Sequence, residues 1–205
     1  KNGHYHIDGV GALPSVTHIL QVIAKPGLLG WYGKIGTEEA NRIKQESADF
    51  GSTVHRLIEQ LVRRLPVELE GFDEAIKRCV DSVREWMRLT EFRVIGEPER
   101  VVYSREHGYA GTLDCLAELY GHPTLIDWKT SSGIYPEFTL QLAAYRHALE
   151  EMGVSVGEAN CLIVQMDKKT GVCHPQRVPV GREAFEAFLN AKRLWQWLDA
   201  AKEGS

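Results

Sequence analysis

The sequence predicts an α/β protein, with a mixed central β-sheet flanked by helices and preceded by an N-terminal helical front. Three observations predict it. Up to about Leu89 the apolar side chains recur at helical spacing. From Phe92 the pattern switches to strand-like runs separated by turn residues. Beyond Thr130 a helix, two strands and a closing helix follow one another. The 205 residues show no internal repeat, low-complexity tract or long linker. We therefore expect one unit over 1–205, with the front at 14–92, the sheet core at 93–180 and the closing helix at 181–205.

Residues 1–13 read as a glycine-rich entry that forms a hairpin. Ser15 is a good N-cap for a helix carrying Val16, Ile19, Leu20 and Ile23, which Lys25-Pro26-Gly27 stops. Residues 28–47 read as a second helix, with Trp31 and Tyr32 near its start and Gly30, Gly33 and Gly36 loosening it. Ala48 to Leu65 reads as a third, with Val54, Leu57, Ile58, Leu61 and Leu65 on one face. Gly71 to Leu89 is a fourth, apolar at Ile76, Val80, Val83 and Met87.

Phe92 to Ser104 and Tyr109 to Leu119 read as strands, and Thr124 to Thr130 as a third after the turn signal Gly121-His122-Pro123. A helix is expected from Glu137 to Met152, stopped by Gly153. Strands at Cys161 to Met166 and Val172 to Val180 flank the polar turn Asp167 to Gly171. The closing helix lines up Ala184, Phe188, Ala191, Trp195 and Leu198.

Composition narrows the function. With 43% hydrophobic and 25% charged residues, the chain is an ordinary globular sequence. Its 24 Lys+Arg and 28 Asp+Glu give a formal charge of −4, which argues against a basic nucleic-acid coat or a polybasic membrane binder. No apolar run approaches the roughly 20 residues that span a bilayer. Lys1 to Val10 is polar, without a signal-peptide core, and the missing initiator Met marks a processed, trimmed or partial chain. Cys79, Cys115, Cys161 and Cys173 are scattered, which predicts reduced structural thiols in a cytoplasmic-type compartment.

The informative stretch is Gly111-Thr-Leu-Asp114 followed by Leu125-Ile-Asp127-Trp-Lys129-Thr130. Alternation puts Asp127 and Lys129 on one strand face. A two-residue loop at Gly121-His122, or a four-residue loop at Tyr120 to Pro123, pairs residues whose numbers sum to 243. Asp114 then faces Lys129 and lies diagonal to Asp127. A three-residue loop would send Asp114 to the other face. Two adjacent carboxylates repel unless a proton or a cation neutralises one of them. Such an oxygen-rich pair suits Mg²⁺ or Mn²⁺, and a neighbouring Lys can orient water or stabilise charge on a phosphoryl group. An isolated Asp-x-Lys is usually a surface ion pair, so its neighbours matter.

Gly51-Ser-Thr-Val-His55 leads to Glu59, one helical turn beyond the histidine. His55 could ligate the metal, with Glu59 orienting its ring. Gln141 and Tyr145 share the face of the helix that follows the Asp-x-Lys strand. Tyr145 also fits the stripe of Phe138, Leu142, Leu149 and Met152, whereas an amide beside that stripe needs a partner. Gln141 could hold Lys129 or bind a phosphate.

Taken in order, Gly-x-x-x-His55, Gly111-x-x-Asp114, Asp127-x-Lys129 and Gln141-x-x-x-Tyr145 resemble the motif series of the PD-(D/E)XK nucleases. The chain is most like the RecB-like branch, to which the RecB and AddA nuclease domains and CRISPR-associated adaptation nucleases belong. Pro14-Ser-Val-Thr-His-Ile-Leu20, followed by Trp31, resembles short stand-alone members, and the resemblance covers about residues 14–178. It implies a restriction-endonuclease-like sheet. It implies metal ligation by Asp114, Asp127, His55 and the carbonyl of Trp128, with Lys129 as the catalytic lysine. Gln141 and Tyr145 would support the site and contact substrate. A Glu at the start of the first core strand is also implied, and Glu97 and Glu99 both qualify. Some relatives bind an iron–sulfur cluster, but the cysteine spacing here does not fit one, so none is predicted.

The expected activity is divalent-metal-dependent hydrolysis of DNA, by an exonuclease acting on single strands or ends in repair, recombination or phage DNA processing. Proteins of those processes are the expected partners. Arg56, Arg63 and Arg64 on the His55 helix, with Lys168-Lys169 on a turn, would meet phosphates. Trp31 and Tyr32 would stack on bases if the helical front arches over the site. The alternatives are a flap or structure-specific endonuclease with the same residues, a non-catalytic DNA-end-binding module, and a zinc hydrolase. The last would use His4-Tyr5-His6, but no further His spacing supports it. A bound cation opposite two site carboxylates would remove half of the formal −4.

Overall fold

Two apolar layers, one on each face of a five-stranded sheet, organise the computed structural model, which describes residues 3–157 and 160–203. The chain opens with a hairpin of β1 (His4–Ile7) and β2 (Gly11–Pro14), as the glycine-rich entry predicts. Helix α1 (Val16–Ile19) follows, N-capped by Ser15, whose hydroxyl accepts the His18 N–H at 3.1 Å. A 3₁₀ turn covers Leu20–Val22.

The front departs from its predicted boundaries. Helix α2 (Pro26–Ile35) begins on Pro26, whose fixed φ suits a first turn. Gly36, at φ +84°, then breaks the chain, and α3 (Thr37–Val62) runs without interruption through the boundary expected near residue 47. Val54, Leu57, Ile58 and Val62 bury its second half. Over residues 31–50 only Ala40 is buried, so α2 and the first half of α3 stand away from the core. Leu65 lies beyond the helix end and is exposed. In α4 (Glu74–Leu89) the core positions are Ile76, Cys79, Val80, Val83 and Trp86, with Trp86 in the place expected for Met87.

Both long strands expected before residue 120 are divided. Residues 92–104 yield β3 (Arg93–Val94) and β4 (Arg100–Ser104), and residues 109–119 yield β5 (Tyr109–Leu113) and β6 (Cys115–Leu119). β4 and β5 form their own antiparallel ribbon. The five-stranded sheet has the order β3-β6-β7-β8-β9, with β7 (His122–Lys129), β8 (Cys161–Met166) and β9 (Cys173–Arg177). β7 and β8 are parallel and every other neighbour is antiparallel, so the sheet is mixed. The β6–β7 turn is Tyr120-Gly121, with φ of +50° and +79° at the two positions, as a tight reversed hairpin turn requires. Paired residue numbers there sum to 241 rather than 243. That shift of two residues changes partners but preserves faces.

Helix α5 (Pro136–Glu151) crosses between β7 and β8, and α6 (Arg182–Glu203) packs beside it. Their layer holds Leu125, Leu142, Tyr145, Leu149, Ile163 and Phe188. The opposite layer joins α3 and α4 to Ile126, Trp128 and Val164. Val178 and Val180 are buried but lie beyond β9, and Leu198 is more exposed than its place in the α6 stripe predicts. Cys79, Cys115, Cys161 and Cys173 form no disulfide, and the first three are buried. No helix among the described residues is long and apolar enough to cross a membrane.

Candidate active site

Asp114 is the single residue between β5 and β6, where the chain leaves the ribbon and enters the central sheet. Its Oδ2 accepts the backbone N–H of Trp128 at 2.8 Å, which fixes the carboxylate against the end of β7. Nδ1 of His55 lies 3.7 Å from the same oxygen. His55 reaches this point because α3 passes close to the end of β7. A Cβ on Gly51, one turn earlier, would stand 3.0 Å from Oγ1 of Thr130.

Glu99 completes the group. Its backbone N–H donates to the carbonyl of Asp114 at 3.0 Å, and its φ is +54°. Ligand atoms of His55, Glu99 and Asp114 lie within 4.8 Å of one another. Of the two glutamates only Glu99 belongs to this group, while Glu97 is ion-paired with Arg63. The three residues share a cleft of about 450 Å³ with Ser52, Arg56 and Glu59. A larger cleft of about 980 Å³ lies between the starts of α5 and α6, and none of the motif residues lines it.

Asp127 and Lys129 share the face of β7 that lies under α5, close to Asp114. Nζ of Lys129 is 2.6 Å from Oδ2 of the buried Asp127. That oxygen nevertheless accepts no well-directed hydrogen bond, so its lone pair stays open to a further cation. Nε2 of Gln141 donates to Oδ1 of Asp127 at 3.2 Å and is also 3.2 Å from the Tyr145 hydroxyl. Its Oε1 accepts from Lys129 at 3.5 Å, and the ammonium sits 4.9 Å from the centre of the Phe138 ring. The amide thus has the partners that its burial requires. Tyr145 is both core and site: it is buried, and it packs where Gly111 has no side chain.

Charge accumulates here. Burial pushes the Asp127 carboxyl upward, Lys129 pulls it back, and Asp114 pushes it up again, for a net rise. Desolvation, then Asp114 and Glu59, raise Glu99 to about 7 although its side chain keeps contact with solvent. Burial pulls Lys129 down, but Asp127 and Asp114 outweigh it and hold the ammonium charged. The site therefore carries more negative charge than one lysine offsets. Carboxylate oxygens with one imidazole, and an open lone pair on Asp127, fit a divalent cation that prefers oxygen donors. Within the 4.8 Å spacing the group is His55, Glu99 and Asp114, and Asp127 lies near enough to feel the charges of Asp114 and His55.

Other expected contacts fall elsewhere. Glu59 is held by Arg63 at 2.8 Å rather than by the His55 ring. Arg63 is further tied to Glu97 and to the carbonyl of Pro98. Arg56 lines the cleft, with its guanidinium over Phe72. Trp31 and Tyr32 pack edge to face on each other, the Tyr32 hydroxyl donates to Asn41, and neither residue lines the cleft. Lys168 lies over Phe50 and Lys169 is in the β8–β9 turn. Trp128 buries its ring edge-on against Trp86.

The family model of the PD-(D/E)XK nuclease superfamily matches residues 31–203. The chain is 30% identical over 181 residues to mitochondrial genome maintenance exonuclease 1 of Mus musculus, a match covering 80% of this chain and 52% of that protein. It is 29% identical over 175 residues to the protein of the same name from Xenopus tropicalis, covering 78% and 50%. The chain thus spans about half the length of these relatives. A mixed sheet with Asp114 and Asp-x-Lys at one end, Gln-x-x-x-Tyr on the helix packed over them, and a matching family model over most of the chain's length has one consistent reading: the chain belongs to the PD-(D/E)XK nuclease superfamily.

Proposed function

We propose that this chain hydrolyses phosphodiester bonds in DNA with Mg²⁺ or Mn²⁺, working as an exonuclease from single-stranded ends. The observation that carries the proposal is the gathering of His55, Glu99 and Asp114 around one point beside the Asp127–Lys129 pair. In this reading His55, Glu99, Asp114 and Asp127, with the Trp128 carbonyl, hold the ion. When bound, the ion supplies positive charge to a phosphoryl oxygen and lowers the pKa of water.

The chain's own residues do the rest. Lys129, kept protonated, donates toward the charge that grows on the phosphoryl oxygens. Gln141 fixes that ammonium and Asp127 in one arrangement, so little reorganisation accompanies reaction. The Tyr145 hydroxyl, pushed far above its ordinary range by burial, stays protonated and anchors Gln141. Arg56 at the cleft wall meets the flanking phosphate. The projecting α2 and first half of α3, with Trp31 and Tyr32, would guide an unpaired strand toward the cleft.

The names of the relatives support an exonuclease role in genome maintenance, with repair or recombination proteins as partners. The unbridged cysteines favour a reducing compartment. Incubation with single-stranded, duplex and covalently closed circular DNA, each with Mg²⁺ and Mn²⁺, tests the proposal. Linear single strands should be degraded from an end and circles left intact. Efficient cutting of circles would assign an endonuclease instead, and metal-independent binding without cutting would assign a binding module.

A further inference from the structure

We infer that a second cleft, on the hairpin side of Glu99, seats the nucleoside flanking the scissile phosphate; this rests on the nuclease reading above. The cleft has a volume of about 680 Å³, within the range of pockets that hold small polar ligands. Its walls come from β1, α1, the 3₁₀ turn and the β4–β5 ribbon. Glu99 lines both this cleft and the one containing His55 and Asp114. A strand whose phosphate reaches Asp114 therefore has one neighbour on the α3 side and the next in this cleft.

The lining specifies which part of a nucleotide it takes. Among its described residues none is Lys or Arg, so nothing there competes for phosphate charge. It offers the Tyr5, His6 and His18 rings, with Thr17 and Gln21 as hydrogen-bonding groups. Flat rings beside donors and acceptors suit a base and sugar, by stacking and edge contacts. The His4-Tyr5-His6 run, whose two histidines are exposed and which the metal site leaves unused, gains a role in this way.

The cleft is also held in a fixed place relative to the motif strand. The Tyr5 hydroxyl is 2.8 Å from Oγ1 of Thr112, two residues before Asp114. The Ser15 N–H donates to the Gly3 carbonyl at 2.8 Å, and Ser15 bridges Ala110 on β5. The His18 ring is backed edge-on by Trp195 at 5.5 Å. The hairpin is thus a wall of the site rather than a loose end.

The test uses the whole chain with a short single-stranded oligonucleotide. His6 and Gln21 are both exposed, so replacing them does not threaten the fold. The double variant His6→Ala, Gln21→Ala should raise KM about five- to tenfold and change kcat less than twofold. In parallel, 4-thiothymidine at the first or second nucleotide of the attacked end should crosslink to peptides within residues 3–21. An unchanged KM, or crosslinks confined to α3, overturns the inference. If the wild-type chain cuts no DNA with either metal, the nuclease reading fails; the crosslink still decides the cleft, because it needs no turnover.

Discussion

A Cβ placed on Gly111 would lie 2.4 Å from Cε1 of Tyr145. No real contact is that short, so the glycine of Gly111-x-x-Asp114 exists to admit the Tyr145 ring beneath the motif strand. The ring in turn holds Gln141, and Gln141 holds Asp127 and Lys129. Gly111→Ala should therefore act on stability and activity together. Overpacking of this kind costs about 1–3 kcal/mol. In a chain of this size that lowers the melting midpoint by roughly 2–4 °C per kcal/mol, measurable by thermal denaturation. Turnover should fall further than the stability loss alone explains, because the displaced ring moves the amide.

Asp127→Asn and Lys129→Ala should each reduce turnover at least about 10²-fold, the usual cost of removing a group that stabilises developing charge. Steady-state kinetics with a single-stranded oligonucleotide measures it, and circular dichroism checks the fold. Near wild-type turnover in either variant would remove that residue from the reaction.

The raised carboxylates predict a pH-dependent stability with a definite sign. A carboxyl whose folded pKa lies above its unfolded value keeps its proton in the folded chain after the unfolded chain has lost it. Its stabilising contribution is complete below the unfolded pKa and is lost as pH rises through the folded one. For Glu99, at about 7, that window runs from roughly pH 4 to 7, and Asp127 acts in the same direction. The metal-free chain should therefore melt lower at pH 8 than at pH 5. Mn²⁺ should raise the midpoint more at pH 8, where it meets ionised ligands, and Glu99→Gln should shrink that rise. Equal shifts at both pH values would contradict the ligand assignment.

Two arginines one helical span apart should behave differently. Arg63 is committed to Glu59, Glu97 and the Pro98 carbonyl. Arg63→Ala should change stability little, as loss of an exposed ion pair does, and leave affinity for DNA nearly unchanged. Arg56→Ala should weaken binding and flatten its salt dependence by about one phosphate contact. Fluorescence anisotropy across a salt series separates the two.

Much of this site was legible before any coordinates. Strand alternation alone put Asp114, Asp127 and Lys129 together, and it did so although the turn is Tyr120-Gly121 and the register differs by two residues. An even shift leaves side chains on the same face. Residues whose role depends on distant partners were not legible. Glu97 and Glu99 are equivalent in sequence, and only the folded chain separates them, by bonding the Glu99 N–H to Asp114 and pairing Glu97 with Arg63. Gly111 gives no sign in sequence of the ring it accommodates. Arg63 reads as a phosphate contact until Glu97 is seen beside it. The division of 109–119 into two strands is likewise invisible, since no proline or turn dipeptide interrupts Tyr109 to Leu119.

That division has a consequence for how the protein fails. Because Asp114 is the single residue joining β5 of the ribbon to β6 of the sheet, its carboxylate reports the docking of one against the other. A slight slip between them, too small to register as loss of secondary structure, would detach Asp114 from the Trp128 N–H and scatter the ligands. Catalytic competence should thus be a finer gauge of native assembly than any spectroscopic probe of folding. Substitutions deep in either layer, far from DNA, would silence the enzyme while it still looks folded.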